Sequence, residues 1–152
     1  MGAVTYPDPD VLEMLEEGFA PVRVNLTENE DVRSRYGVAQ TPTLLVLGPD
    51  DREWRRHSGF LSPEELLAEL SLGRLVEAVE EEDYEAAGRR LAAARRWALQ
   101  DDERRAEALY YTAIAAYRAT DDPSELSDGW TRLLEEYPDS EWGRRVEFLQ
   151  ED

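Results

Sequence analysis

The stretch Tyr36-Gly37-Val38-Ala39-Gln40-Thr41-Pro42-Thr43-Leu44-Leu45-Val46-Leu47 sets the fold class of this chain. Gly37 closes a short helical run from Asn29 to Tyr36. Thr43 to Leu47 is continuously apolar, which predicts a strand covered on both faces. Gly48-Pro49-Asp50-Asp51 is a turn cluster. Glu53 to His57 reads as a second strand, polar enough to lie at a sheet edge. Ser62 then caps a helix, with Pro63 at its first position and Glu65 completing a capping box. Upstream, Pro7 and Pro9 bracket a turn, Asp10 is placed to cap, and Val11, Leu12, Met14 and Leu15 supply a helix face that stops at Gly18. Pro21-Val22-Arg23-Val24-Asn25-Leu26 alternates as a strand does. The order is helix, strand, helix, strand, strand, helix, so the first part reads as α/β.

Past residue 73 every signal is helical. Leu66, Leu67, Leu70, Leu75, Val76 and Val79 have helical spacing, and Asp83 ends that run. Further helices are expected from Tyr84 to Leu99, Glu103 to Thr120, Ser124 to Tyr137 and Ser140 to about Leu149, broken at Gln100-Asp101-Asp102, Asp121-Asp122-Pro123 and Pro138. Short connections pair such helices into hairpins packed side by side. The expected organisation is an α/β domain over 1–73 and an all-α domain over 74–152.

Residues 4 to about 70 resemble the thioredoxin-like family. The residues that carry the resemblance are Tyr36-Gly37-Val38, then Thr41-Pro42-Thr43 leading into a strand, a turn, a second strand and Gly59-Phe60-Leu61-Ser62-Pro63-Glu64-Glu65-Leu66. Thr5-Tyr6-Pro7-Asp8-Pro9-Asp10-Val11 and Pro21-Val22-Arg23-Val24-Asn25 resemble the end of that family's first active-site helix and the strand after it. The resemblance implies a cis peptide bond between Thr41 and Pro42. It also implies that Gln40, Thr41 and Pro42 pair with an extended substrate segment. The departure is large: the family's Cys-x-x-Cys motif and its central strand have no counterpart here. That strand would lie between Pro21–Leu26 and Thr43–Leu47, so its loss leaves both with unpaired backbone edges. Three outcomes are open: the two strands pair directly, a partner or a second copy supplies the strand, or the reading frame starts too late in its gene.

The second half resembles tetratricopeptide repeats. Tyr110, Ala113, Ile114, Tyr117, Leu126, Trp130, Leu133 and Pro138 follow the order and spacing of that 34-residue pattern. Ile114 replaces the consensus Gly and Leu126 a consensus Ala, which predicts looser packing of that hairpin. Leu75, Ala78, Tyr84, Ala87, Leu91 and Ala94 fit part of an upstream copy. The resemblance implies a concave surface for peptides or partner proteins.

Composition narrows the chemistry. Of 152 residues, 35 are acidic and 17 basic, giving a net charge of −18. All of the bases are Arg. Such a charge repels nucleic acid and anionic membrane; it fits either an ordinary acidic protein from a GC-rich genome or adaptation to high salt. The chain has no Cys and one His, which removes thiolate chemistry, a thiolate metal site and a multi-histidine site. No apolar stretch approaches a membrane span and no leader pattern opens the chain, so the expected location is cytoplasmic. No cofactor and no metal are expected.

Other candidates for chemistry are weak. His57 reads as a solvated or capping residue. Glu80-Glu81-Glu82-Asp83 reads as a solvated helix end, at the unfavourable pole of the preceding helix. Trp54, Trp97, Trp130 and Trp142 read as packing anchors. The paired arginines at 89–90, 95–96, 104–105 and 144–145 read as salt-bridging to nearby acids, with a carboxylate-gripping groove as the sharper reading. The expected function is therefore a non-catalytic protein- or peptide-binding module, chaperone-like or adaptor, that self-associates through its first half. The alternative is a thioredoxin-family thiol–disulfide oxidoreductase whose Cys-x-x-Cys lies upstream of Met1.

Overall fold

A computed structural model describes residues 1–98 and 100–150. These fold into seven α-helices and one antiparallel hairpin of two strands. The elements are α1 (Pro9–Gly18), α2 (Glu30–Arg35), β1 (Thr43–Leu47), β2 (Glu53–Ser58), α3 (Pro63–Glu80), α4 (Tyr84–Ala98), α5 (Asp102–Thr120), α6 (Pro123–Glu136) and α7 (Glu141–Arg145), followed by a 3₁₀ turn (Glu147–Gln150). The expected end of α4 at Leu99 lies outside the described residues. Two compact units divide the chain, Met1–Leu67 and Ala68–Asp152. The division falls inside α3, a single helix that runs through position 73.

In the first unit the helix starts follow from local hydrogen bonding. Asp8, rather than Asp10, caps α1: its carboxylate accepts from the amides of Asp10 and Val11, and Pro9 takes the first helical position. The capping box at α3 is complete. Ser62 Oγ accepts from the Glu65 amide at 3.2 Å, and Glu65 Oε2 accepts from the Ser62 amide at 2.8 Å. Thr5 is buried and its hydroxyl donates to the Leu61 carbonyl at 2.6 Å, which fastens the chain start to the approach to α3.

Two strand expectations fail. Pro21–Leu26 forms no strand; it is an irregular segment whose residues from Pro21 to Asn25 are all exposed. Alternation supplies one apolar face, but a strand also needs a neighbour for its amides. Among the described residues no strand pairs with this segment. Thr43–Leu47 is a strand, yet it is not covered on both faces. Of its five residues only Val46 is buried, and among the described residues β2 is its only sheet neighbour.

The second unit is a stack of helical hairpins. Leu72, Leu75, Ala78 and Val79 of α3 share a core with Ala86, Ala87 and Ala94 of α4 and Ala108 of α5. Asp83, exposed at the end of the acidic run, accepts from the Ala86 amide and so caps α4; the same run lies at the favourable pole of the following helix. A second core joins Ala106, Leu133, Leu134 and Val146 with Leu109, Tyr110, Trp130, Tyr137 and Trp142. Between α5 and α6 one point of approach is close. A Cβ on Gly129 would stand 2.5 Å from Ala113 Cβ, so the helices approach to backbone contact one small pair along from the substituted positions. Glu69 is buried but answered: Arg104 Nε donates to it at 2.8 Å and Arg104 also bonds Asp101, which caps α5. The last helix is shorter than the expected run to Leu149, since the chain tightens into 3₁₀ geometry after Val146.

Candidate functional site

The residues that the first-half pattern singles out form an exposed loop with both ends fixed. Gln40, Thr41 and Pro42 are all exposed. On the upstream side Gly37 takes a left-handed φ of 58°, the conformation glycine adopts without a Cβ penalty, and Val38 is buried as an anchor. The Val38 carbonyl accepts from Arg33 Nε at 3.2 Å. On the downstream side Thr43 Oγ1 donates to the Gln40 carbonyl at 2.7 Å, and the Pro42 carbonyl accepts from the Gly59 amide at 2.8 Å. The Thr41–Pro42 bond is cis, as expected.

That last hydrogen bond fixes which way the following peptide groups face. Bonded and non-bonded pairs alternate along an antiparallel ladder. With Pro42 opposite Gly59 as a bonded pair, the register pairs Leu44 with His57 and Val46 with Arg55 in the same sense. Thr43 opposite Ser58 and Leu45 opposite Arg56 are then the non-bonded pairs, and the hydroxyls of Thr43 and Ser58 stand 3.2 Å apart, as close pairs do. The amides and carbonyls of Thr43 and Leu45 therefore point away from β2, along an edge that no described strand occupies. An exposed loop thus opens directly onto an unpaired strand edge.

A frame of polar contacts holds α2 and the hairpin in register around this loop. Tyr36, at the end of α2, donates its hydroxyl to Asp51 Oδ1 at 2.9 Å, and Arg35 pairs with the same carboxylate. Arg56 on β2 donates to the Tyr36 carbonyl at 2.7 Å and to Glu53. The hydrogen bond to Asp51 pushes the Tyr36 phenol above its ordinary pKa, so it remains a donor across the neutral range. A shallow depression of about 400 Å³ lies between α2 and the loop, lined by Glu30, Arg33, Ser34, Gly37, Val38 and Ala39. Sequence reading missed this lining. Its signal was the spacing of Glu30, Arg33 and Ser34, which places all three on one face of α2.

Most of the remaining candidates make structural contacts. Trp130 stacks on Tyr110 with centroids 5.5 Å apart, and Trp142 packs against Tyr110 at 5.0 Å. Trp54 is buried on β2 under the Arg52 guanidinium, 4.3 Å from its ring. Arg90 pairs with Glu77, Arg104 with Glu69, Arg105 with Asp102 and Arg145 with Glu141, while Arg89 pairs with Glu85. Arg96 lies over Trp97. His57 sits half-buried on β2, opposite Leu44. Among the described residues, no helix is long and apolar enough to cross a membrane. Comparison with protein-family models, curated proteins and solved structures finds no match.

Proposed function

We propose that this chain is a non-catalytic protein-binding module, chaperone-like or adaptor, that takes up an extended segment of a partner protein along β1. The observation that carries this reading is the outward-facing pair of peptide groups on Thr43 and Leu45, placed immediately after the exposed Gln40-Thr41-Pro42 loop. Edge addition recognises main chain, and therefore tolerates many sequences. Both family resemblances, thioredoxin-like and tetratricopeptide-like, support the same class of partner. The hairpins of α3 with α4 and α5 with α6 provide a further surface of the kind helical repeats use for partner proteins.

Leu45→Pro tests this. Proline removes the outward amide while leaving the ladder bonds to β2 intact, a substitution that edge strands accept. Leu45→Ala keeps the amide and controls for the lost side chain. The probe is reduced, carboxymethylated α-lactalbumin, a permanently unfolded chain, with binding read by fluorescence anisotropy and folding by circular dichroism. The wild type and Leu45→Ala are expected to bind, and Leu45→Pro to lose at least tenfold in affinity. Equal binding by folded Leu45→Pro, or no binding by the wild type, overturns the reading.

A further inference from the structure

Two unpaired elements of the first unit have matching properties. One is the outer edge of β1. The other is Pro21–Leu26, an exposed segment with strand alternation, in which Val22 is 83% and Val24 40% exposed. Val22, Arg23 and Val24 make no backbone hydrogen bond among the described residues. Burial of such valines and pairing of such amides would both be favourable, and nothing within the described chain supplies either.

Charge decides what can approach. A chain of net charge −18 repels its own copies over most of its surface. Yet the residues from Gly18 to Thr27 include no acid and one Arg, and those from Val32 to Pro49 include no acid and two Arg. In a chain where 35 of 152 residues are acidic, the unpaired segment and the β1 edge each lie within an acid-free stretch, as do the residues of β2 from Trp54 to Ser58. Lengths also match: the five residues from Pro21 to Asn25, before the turn that begins at Leu26, equal the five of β1. One chain thus carries both a donor segment and an acceptor edge, and a two-fold axis satisfies both reciprocally.

We infer that Pro21–Leu26 of a second copy adds to β1 as a third strand, giving a dimer closed by two reciprocal strand additions. This rests on the reading of β1 as a strand-accepting edge and names the occupant of that edge. Salt strengthens the dimer, because screening reduces repulsion between the acidic remainders of the two copies.

The test uses the whole chain and the double variant Val22→Asp/Val24→Pro, whose changes fall in an exposed segment outside any helix or strand. Light scattering at micromolar concentration, in low and in molar salt, is expected to give twice 17.4 kDa for the wild type, most completely in molar salt, and a monomer for the variant. A synthetic peptide of residues 19–27 is expected to bind the monomeric variant, whose β1 edge is intact, and to slow hydrogen exchange at the Thr43 and Leu45 amides. A wild-type monomer in both salts, a variant that remains dimeric, or a peptide that leaves those amides unprotected overturns the inference. Binding of carboxymethylated α-lactalbumin separates the two ideas. If it binds while the chain stays monomeric, the edge accepts foreign segments and only self-recognition fails; if neither binds, the edge reading fails as well.

Discussion

The two units solve the same problem of apolar burial to different degrees. In Ala68–Asp152 the apolar side chains close over one another: leucines and valines of α3 meet the alanine face of α4, and α5 packs against α6 through Ala113 and Gly129. In Met1–Leu67, Val4, Leu12, Val22, Val24 and Phe60 are all exposed, against Phe148 and Leu149 alone among the large apolar residues of the other unit's described chain. The reason is the kind of element. A helix satisfies its own amides and needs only side-chain contacts from a neighbour, so hairpins complete a core locally. A strand needs a backbone partner as well, and a two-stranded hairpin leaves one edge of each strand open.

The sharpest way to break this contrast is to disturb the buried polar group on which the helical unit depends. Arg104→Met takes the guanidinium from the buried Glu69 carboxylate, and removing one member of such a pair costs about 3–5 kcal/mol. Urea unfolding of the wild type and variant measures it; restoration of most of the loss by a second change, Glu69→Leu, shows that the cost comes from the buried charge. Gly129→Ala pushes a methyl into Ala113, where the gap is 2.5 Å. Overpacking of this kind costs about 1–3 kcal/mol, and a variant as stable as the wild type would show that α5 and α6 separate without penalty.

Alkaline pH probes the same unit through Tyr111. Burial, with the Glu107 and Glu80 carboxylates nearby, pushes its phenol up to about 12 from an ordinary 10.0. The folded state therefore holds this proton more tightly than the unfolded one. Its contribution to stability is complete below pH 10 and is lost as pH rises from 10 through about 12. Unfolding midpoints across that window are expected to fall for the wild type and to fall less for Tyr111→Phe. At the other extreme, Val22→Ala in the open unit is expected to change the stability of a single copy by less than about 0.5 kcal/mol, as exposed substitutions do. A loss well above that, measured at submicromolar concentration, would mean that the segment is packed within one chain and would erase the contrast.

Much of this molecule is legible in its residues because it is local. The box at Ser62 and Glu65, the hairpin turn after Leu47 and the helix breaks at Asp83, Asp101 and Pro123 each depend on a few neighbouring residues whose chemistry specifies geometry. The loop Gln40-Thr41-Pro42 and its cis bond are expected only from the thioredoxin-like resemblance. Tertiary structure alone decided the rest. Pro21–Leu26 has the alternation of a strand and is not one, since no residue within the segment determines whether a partner lies beside it. The direction of the Thr43 and Leu45 amides required the register against β2. The pairing of Glu69 with Arg104, and the approach of Gly129 to Ala113, join positions far apart in the chain. Short-range sterics and capping act within a few residues, whereas edge pairing, burial and ion pairing depend on which distant residues arrive.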